Sequence, residues 1–485
     1  MKIKDLIQGV DIISTKNLDT NLDIENLTCK SSEENESGIY FCLKGGKADG
    51  HDFAEEALNN GAVCLIVENF LPFDVMQIKV EDARRTMTEI SANFYNIKNL
   101  NLKIIALTGT NGKTTTTFLL KAYLSKLGYR VGLIGTQGVY FNSLLLPAKL
   151  TTPDPIDLHK ILFDMSKTGI QYVVMEASAH AIALNKLVGL NFEVVALTNI
   201  TEDHLDFFKT MNNYALAKEK IFKSTNKAVI NIDDEYSNRI FENLEIDKTS
   251  ISLYNEGDFE LSNYDCSTKG SKAVVKNNDE NLYLKTNLIG KYNIANTIMA
   301  LAILTKLGFS SEHVIDIINS TKVKVPGRFN VLNIPAEYSV IVDYAHTPDG
   351  LENVLKTSRE LTSARIISIF GCGGDRDAEK RHIMGEISSK YADYTIVTSD
   401  NPRSENPQSI INEITKNMNK KFTAITDRKQ AIIHALTLAK PNDIILILGK
   451  GAETYQEIKG VKYPFSDYDV VDEFFKMQKL DKNVL

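Results

Sequence analysis

The sequence is short of cysteine, of long apolar runs and of positive charge. Its five cysteines, Cys29, Cys42, Cys64, Cys266 and Cys372, are odd in number, widely spaced and free of any CxxC or CxxH pair. That pattern argues against a disulfide frame or a zinc site and fits reduced thiols in a cytoplasmic protein. No uncharged apolar run approaches membrane-spanning length, and the start, Met1 to Gln8, has no apolar signal core, so no membrane insertion is expected. With 55 Lys and Arg against 62 Asp and Glu, the net charge is -7, which disfavours a sequence-independent grip on nucleic acid. Short-period repeats and low-complexity blocks are missing too.

What is present is an ordinary globular composition, 43% hydrophobic and 24% charged, in a chain of 485 residues. That length suggests about three domains. Short Ile- and Val-rich runs recur, each ending in polar or glycine-rich chemistry: residues 103–108, 172–175, 193–197, 338–342, 365–370, 394–397 and 443–448. Such runs read as buried parallel strands, and ligands in open α/β sheets bind beyond the carboxyl ends of strands. The fold class expected is therefore α/β, with two such sheets. A polar, Asn-rich stretch at 93–101 and Pro326-Gly327-Arg328 punctuate the chain, giving regions 1–98, 99–328 and 329–485. Residues 233–285 are polar with alternating pieces, read as a small antiparallel excursion.

The strongest single signal is Gly109-Thr110-Asn111-Gly112-Lys113-Thr114-Thr115, between a predicted strand and an amphipathic helix running to about Leu127. Glycines let the backbone wrap phosphate oxygens, Lys113 reaches the terminal phosphates and the Thr114 hydroxyl suits Mg²⁺. The usual Walker A glycine six residues before the lysine is replaced by Leu107, so this is a shorter variant. Alone, the loop fits a kinase, a GTPase switch or a ligase. Taken as single residues, Glu176 could be a strand-end carboxylate, His204 a capping or core histidine, and Lys218 part of a solvated helix face.

Reading onward, further motifs follow in order: Thr151-Thr152-Pro153, Glu176-Ala-Ser178-Ala-His180, Thr198-Asn199 with Asp203-His204-Leu-Asp206, Tyr214-(x)₃-Lys218, Gly290-Lys-Tyr-Asn293-Ile-Ala-Asn296, Pro326-Gly-Arg328, Asp343-Tyr-Ala-His346-Thr-Pro348, Gly371-Cys-Gly-Gly-Asp375-Arg376-Asp377 and Asp400-Asn401-Pro402-Arg403. Over nearly the whole chain this series resembles the Mur ligase family, and within it the member that adds the third residue of the stem peptide. The resemblance implies three domains: an N-terminal UDP-sugar-binding domain, a central ATPase domain and a C-terminal Rossmann-like domain. It also implies ATP-dependent peptide-bond formation on UDP-MurNAc-L-Ala-D-Glu through an acyl phosphate, in peptidoglycan precursor synthesis, with a monomer expected.

By the same resemblance, Lys113, Glu176, His204 and Lys218 are the catalytic group. Thr114, Glu176, His204 and a carbamylated Lys218 hold Mg²⁺. Asn296, Arg328, Asp343 and His346 join the loop in holding ATP, with the C-terminal region completing that site by closing. Ser32, Lys47-Ala48, Thr151, Thr152, Ser178 and Lys186 fall near the muramoyl substrate. Arg376, Asp400, Asn401, Pro402, Arg403, Gly449 and Glu453 face the incoming amino acid. Arginine presents a fork suited to a carboxylate, so Arg403 favours meso-diaminopimelate, which has one more carboxylate than lysine. Asn-Pro could equally make a plain turn. The chain departs from the family pattern at Ala179, Leu184, Lys186 and Ala452, and its N-terminal signature is eroded to Ser31-Ser32-Glu33. A folate polyglutamate ligase shares the loop but leaves the Asp400–Arg403 tetrapeptide without a reason, whereas a non-catalytic nucleotide switch would have no need of Lys113, Glu176, His204 and Lys218 together.

Overall fold

In the computed structural model each of the seven runs forms a strand, and the chain is described for residues 1–482 apart from 46–47, 143 and 148–149. Lys47 therefore lies outside the described residues. Two compact units result: Met1–Thr108 with Leu127–Ala196 and Leu216–Ala228, and Gly109–Lys126 with Leu197–Ala215 and Val229–Leu485.

The first unit opens with a five-stranded sheet in the order Ser14–Lys16, Met76–Lys79, Ala62–Val67, Gly38–Phe41, Asn26–Thr28. All its pairings are parallel except that of Ser14–Lys16. Ile39, Phe41, Ile66 and Ile78 pack with Met87 and Ile90 of helix Ala83–Phe94, whose first N–H groups are capped by Asp82. The sequence reading anticipated no parallel sheet here, because its two edge strands are three residues long and, Thr28 apart, not buried. Further along, Tyr172–Glu176 pairs in parallel with both Lys103–Thr108 and Val131–Gly135. All three are buried on both faces beyond their first residues, which is why they read as unbroken apolar runs. Gly138–Phe141 and Leu144–Leu146 continue from Val131–Gly135 as an antiparallel hairpin.

In the second unit, helix Lys113–Lys126 packs on helix Lys291–Lys306, whose central turns from Asn296 to Leu304 are wholly buried. The 233–285 segment contains the expected antiparallel meander, Phe259–Ser267, Gly270–Asn277 and Glu280–Thr286. It also contains a helix, Glu235–Asn243, capped by Asp234. Only Ser237 and Ile240 of that helix are buried, so its apolar signal is faint. The C-terminal part is a six-stranded sheet in the order Asn330–Val331, Ser339–Asp343, Ile444–Leu448, Ile366–Phe370, Tyr394–Val397, Phe422–Ala424. It is parallel except for its first strand, and apolar clusters cover both faces. Its carboxyl ends carry Asp343, Gly371, Asp400 and Gly449. Among the described residues no helix is long and apolar enough to cross a membrane.

Candidate active site

The phosphate loop is held open by its neighbours. Thr110 N–H donates to the Asn199 carbonyl at 2.9 Å and Asn111 N–H to Asn199 Oδ1 at 2.9 Å. Thr198 Oγ1 donates to the Asn111 carbonyl at 2.5 Å. Gly112 sits at φ +86°, and a Cβ there would lie 2.4 Å from Asn296 Oδ1, so glycine is required on both counts. Lys113 Nζ arches back over the turn to the carbonyls of Gly109 at 2.8 Å and Thr110 at 2.9 Å. That posture keeps a cation beside N–H groups that begin a 14-residue helix.

Beside the loop lies a cavity of about 500 Å³, a size suited to a small-molecule ligand. Gly112, Thr115, Asn296, Arg328, Asp343 and His346 line it, uniting residues from four of the motifs read in the sequence. Arg328 Nη2 donates to Thr114 Oγ1 at 3.1 Å, and Asn111 Nδ2 donates to Asp349 Oδ2 at 2.7 Å. The segment after residue 328 thus already completes the loop's surroundings. Arg328 stacks on the Tyr344 ring at 4.6 Å, while its buried Nε has no hydrogen-bond partner. Arg328 therefore brings a cationic, incompletely hydrogen-bonded guanidinium to the cavity wall, which suits an anion. Asp343 accepts from Phe329 N–H at 2.6 Å and Ala345 N–H at 2.7 Å. Burial pushes its carboxyl above the usual range despite nearby Arg328. Burial likewise pushes His346 down to about 4. The ring is neutral at pH 7 and its Nδ1–H donates to the Tyr344 carbonyl at 2.8 Å. Tyr254, Tyr264 and Lys291 also line the cavity, with Lys291 Nζ 3.6 Å from the Tyr254 ring centre. The sequence reading missed all three. Lys291 lay inside the motif around Asn293, but the tyrosines belong to the polar excursion and carry no local signal.

Glu176 ends its strand 1% exposed. Its Oε1 accepts from Thr136 N–H at 3.0 Å and its Oε2 from Thr136 Oγ1 at 3.1 Å. Gly135 permits this approach, since a Cβ there would meet Oε1 at 2.3 Å. Thr151 Oγ1 lies 3.1 Å from Thr136 Oγ1, and Thr152 Oγ1 donates to the Glu176 carbonyl at 2.8 Å. Ser178 N–H donates to Thr152 Oγ1 at 3.0 Å, so Thr151, Thr152, Glu176 and Ser178 form one network. Lys186 is buried with its ammonium 2.6 Å from Asp154. Ser32 is exposed.

His204 adopts a left-handed φ of +57°, with Nε2 3.4 Å from Asp203 Oδ2 and its ring edge-on to Tyr214. Burial pushes the Asp203 carboxyl up, but His204, His346, Lys380 and Lys113 outweigh it and leave it below the usual range. Lys218 is 1% exposed, so it is not on a solvated helix face.

A second cluster gathers at the strand ends of the six-stranded sheet. Asn401 Nδ2 donates to Glu453 Oε2 at 2.9 Å. Arg403, at φ +49°, donates from Nη1 to the Gly374 carbonyl at 2.6 Å, with Nε 3.5 Å from Glu457 Oε2. Hairpin Tyr455–Ile458/Val461–Pro464 clamps the tetrapeptide: Glu457 N–H donates to Asn401 Oδ1 at 2.9 Å and Gln456 Nε2 to the Asp400 carbonyl at 2.7 Å. Asp400 Oδ2 is buried with no partner, and a Cβ on Gly449 would lie 2.7 Å from it. Arg376 is exposed in the preceding loop, and Pro402 carries the tetrapeptide's turn.

A phosphate-binding loop opening on a ligand-sized cavity, with a second polar cluster at the ends of a parallel sheet in the same unit, is the arrangement of a nucleotide-binding α/β enzyme. The comparisons narrow this. Residues 23–95 match the Mur ligase family catalytic domain, 107–304 the Mur ligase middle domain and 327–451 the Mur ligase glutamate ligase domain. The chain is 42% identical over 484 residues to UDP-N-acetylmuramoyl-L-alanyl-D-glutamate–2,6-diaminopimelate ligase 1 of Clostridium acetobutylicum, covering 98% of this chain and 99% of that one. Its identity to the corresponding ligase of Aquifex aeolicus is 40% over 455 residues, 93% of each chain. A solved structure of a UDP-N-acetylmuramoyl-L-alanyl-D-glutamate–2,6-diaminopimelate ligase superposes with a TM-score of 0.70 at 31% identity, covering 99% of both chains. The MurF ligase of Thermotoga maritima in complex with ADP shares the fold, with a TM-score of 0.66 at 23% identity over 94% of this chain and 98% of that one. The chain belongs to the Mur ligase family.

Proposed function

We propose that this chain is an ATP-dependent ligase that joins meso-diaminopimelate to UDP-MurNAc-L-Ala-D-Glu in peptidoglycan precursor synthesis. The observation that carries the reading is the pairing, within one unit, of the phosphate-loop cavity with the Asp400–Arg403 cluster; relatives named as UDP-N-acetylmuramoyl-L-alanyl-D-glutamate–2,6-diaminopimelate ligases are 36–42% identical to the chain. The D-glutamate carboxylate attacks the γ-phosphate of ATP, releasing ADP and forming an acyl phosphate. The amine of the diamino acid then displaces phosphate to give the amide. Crowding two anions requires neutralising charge, and Lys113, Arg328 and the loop N–H groups supply it. Neutral His346 adds no charge at pH 7.

Thr114, Glu176, His204 and carbamylated Lys218 are the residues that would hold Mg²⁺. Hydroxyl, carboxylate and carbamate oxygens suit that hard cation, and buried Glu176 is already oriented through Thr136. Among the described residues no three His, Cys, Asp or Glu side chains form a metal-binding group. When bound, magnesium lowers repulsion between the phosphates and the incoming carboxylate. Ser32, Thr151, Thr152, Ser178 and Lys186 serve the muramoyl substrate. Arg376, Asp400, Asn401, Pro402, Arg403, Gly449 and Glu453 serve the diamino acid. The three-domain division at about 98 and 328 and a cytoplasmic monomer belong to the same proposal. The test is ADP release by the purified protein with magnesium and ATP. Release that requires both the muramoyl dipeptide and diaminopimelate is expected. Release indifferent to either, or no coupled product, overturns the reading.

A further inference from the structure

Lys450 lies between Asn401 and Glu453, and its ammonium is hydrogen-bonded to both. Its side chain is 0% exposed. Its ammonium donates to Asn401 Oδ1 at 3.0 Å and to Glu453 Oε2 at 2.8 Å, and lies 5.5 Å from the centre of the Tyr455 ring. A buried ammonium is costly unless it is paired and hydrogen-bonded, and an unbranched apolar residue would fill this space without that cost. Its two partners, however, are residues the functional reading assigns to the diamino acid.

The bonding pattern shows what the lysine fixes. Asn401 could turn its amide either way. With Oδ1 accepting from Lys450 and from Glu457 N–H, its Nδ2 is forced towards Glu453 Oε2. Oε2 therefore takes two donors, Lys450 and Asn401, which sets the plane of the Glu453 carboxylate. Oε1 accepts no hydrogen bond among the described residues, and the Glu453 side chain is 23% exposed. One oxygen is anchored inward and the other is left for a ligand. A ligand cannot reach Lys450 itself.

We propose that Lys450 is a positioning residue of the acceptor site: its buried ammonium fixes Asn401 and the inner oxygen of Glu453, so that the outer oxygen of Glu453 is presented to an ammonium group of the incoming diamino acid. This rests on the functional reading above, which identifies the acceptor.

The experiment is steady-state kinetics of full-length Lys450→Met and Lys450→Gln, varying diaminopimelate at saturating ATP and muramoyl dipeptide, and then varying ATP. In Lys450→Met, KM for diaminopimelate is expected to rise about tenfold or more, with KM for ATP within about twofold of the parent. Glu453→Gln is expected to raise the same KM, and the double variant Lys450→Met/Glu453→Gln to be no worse than the more damaged single variant, because both act through one carboxylate. An unchanged KM for diaminopimelate overturns the proposal. So does a parallel rise in both KM values, the mark of a general structural role, or additive losses in the double variant. Should Lys450→Met not fold, Lys450→Gln, which keeps a donor but loses the charge, decides on the same readings. If the parent protein shows no diaminopimelate-dependent ADP release, it is the functional reading that has failed, not the role of Lys450.

Discussion

A lysine with 1% exposure is not what composition leads one to expect of Lys218. Burial of an ammonium is tolerable only if it is compensated or chemically altered, and carbamylation turns the cation into an oxygen donor. Lys218→Ala is expected to lose about a hundredfold or more in kcat, with part of the loss restored by a short carboxylic acid such as acetate. Full activity in the unaided variant would sink the carbamylation idea. For Arg403 the proposed role is to meet a carboxylate of the diamino acid. Its Nη1 donates to the Gly374 carbonyl and its Nε lies 3.5 Å from Glu457 Oε2, while Nη2 carries no hydrogen bond among the described residues. Arg403→Lys keeps the charge but loses the fork, so kcat/KM for diaminopimelate is expected to fall about ten- to a hundredfold. A variant equal to the parent in that ratio would show that Arg403 is only a loop residue. At this scale the phosphate loop and the Asp400–Arg403 tetrapeptide were legible, because each is a local string with its own chemistry. The burial of Lys218, the two tyrosines of the nucleotide cavity and the inward face of Lys450 were not, because burial is decided by packing between distant segments.

Elements show the same division. The central strands were readable from apolar runs buried on both faces, but the ties between their ends were not. Arg428, the first residue of helix Arg428–Leu438, is fully buried with Asp467, the first residue of helix Asp467–Lys482. The guanidinium grips Asp467 at 2.7 and 2.8 Å and also donates to the carbonyls of Leu448 at 2.9 Å and Ser399 at 3.4 Å, just before Gly449 and Asp400. Arg428→Met leaves a buried carboxylate unpaired and is expected to cost about 3–5 kcal/mol in urea unfolding, whereas Arg428→Met with Asp467→Leu recovers much of that. Equal stability of the single variant and the parent would contradict the arrangement. In helix Pro155–Lys167, His159 is 0% exposed, with Nδ1 3.0 Å from Ser91 Oγ and Nε2 without a partner. Burial pushes it down to about 3. Its folded pKa lies below its unfolded value, so the unfolded chain takes up the proton first and stability falls as pH drops from about 6.5 towards 3. At pH 5 this amounts to about 2 kcal/mol. His159→Gln is expected to lose less stability than the parent between pH 7 and pH 5 in parallel urea titrations. Identical losses would remove His159 as a source of acid sensitivity.

For the molecule as a whole, fold class followed from repeated strand-then-polar punctuation, while the N-terminal parallel sheet escaped notice because its edge strands, Ser14–Lys16 and Asn26–Thr28, are three residues long and, Thr28 apart, not buried, and so give no apolar run. Ligand linkage follows from how the nucleotide cavity is assembled. Its walls come from the phosphate loop, from helix Lys291–Lys306 and from the start of the C-terminal sheet, joined by Arg328 to Thr114 and Asn111 to Asp349. A nucleotide seated there touches segments more than two hundred residues apart in sequence, so it binds the folded chain and not the unfolded one. Stabilisation then follows RT ln(1 + [L]/Kd), about 2.7 kcal/mol at a hundredfold excess over Kd. If Arg328→Met weakens nucleotide binding about tenfold, through loss of one charge-assisted donor, the same concentration is only ten times Kd and stabilises by about 1.4 kcal/mol. Each protein serves as its own reference with and without ATP, so any intrinsic cost of the substitution cancels. Halving of the ATP-induced increment in the variant is expected. Equal increments would show that Arg328 does not contribute to nucleotide binding.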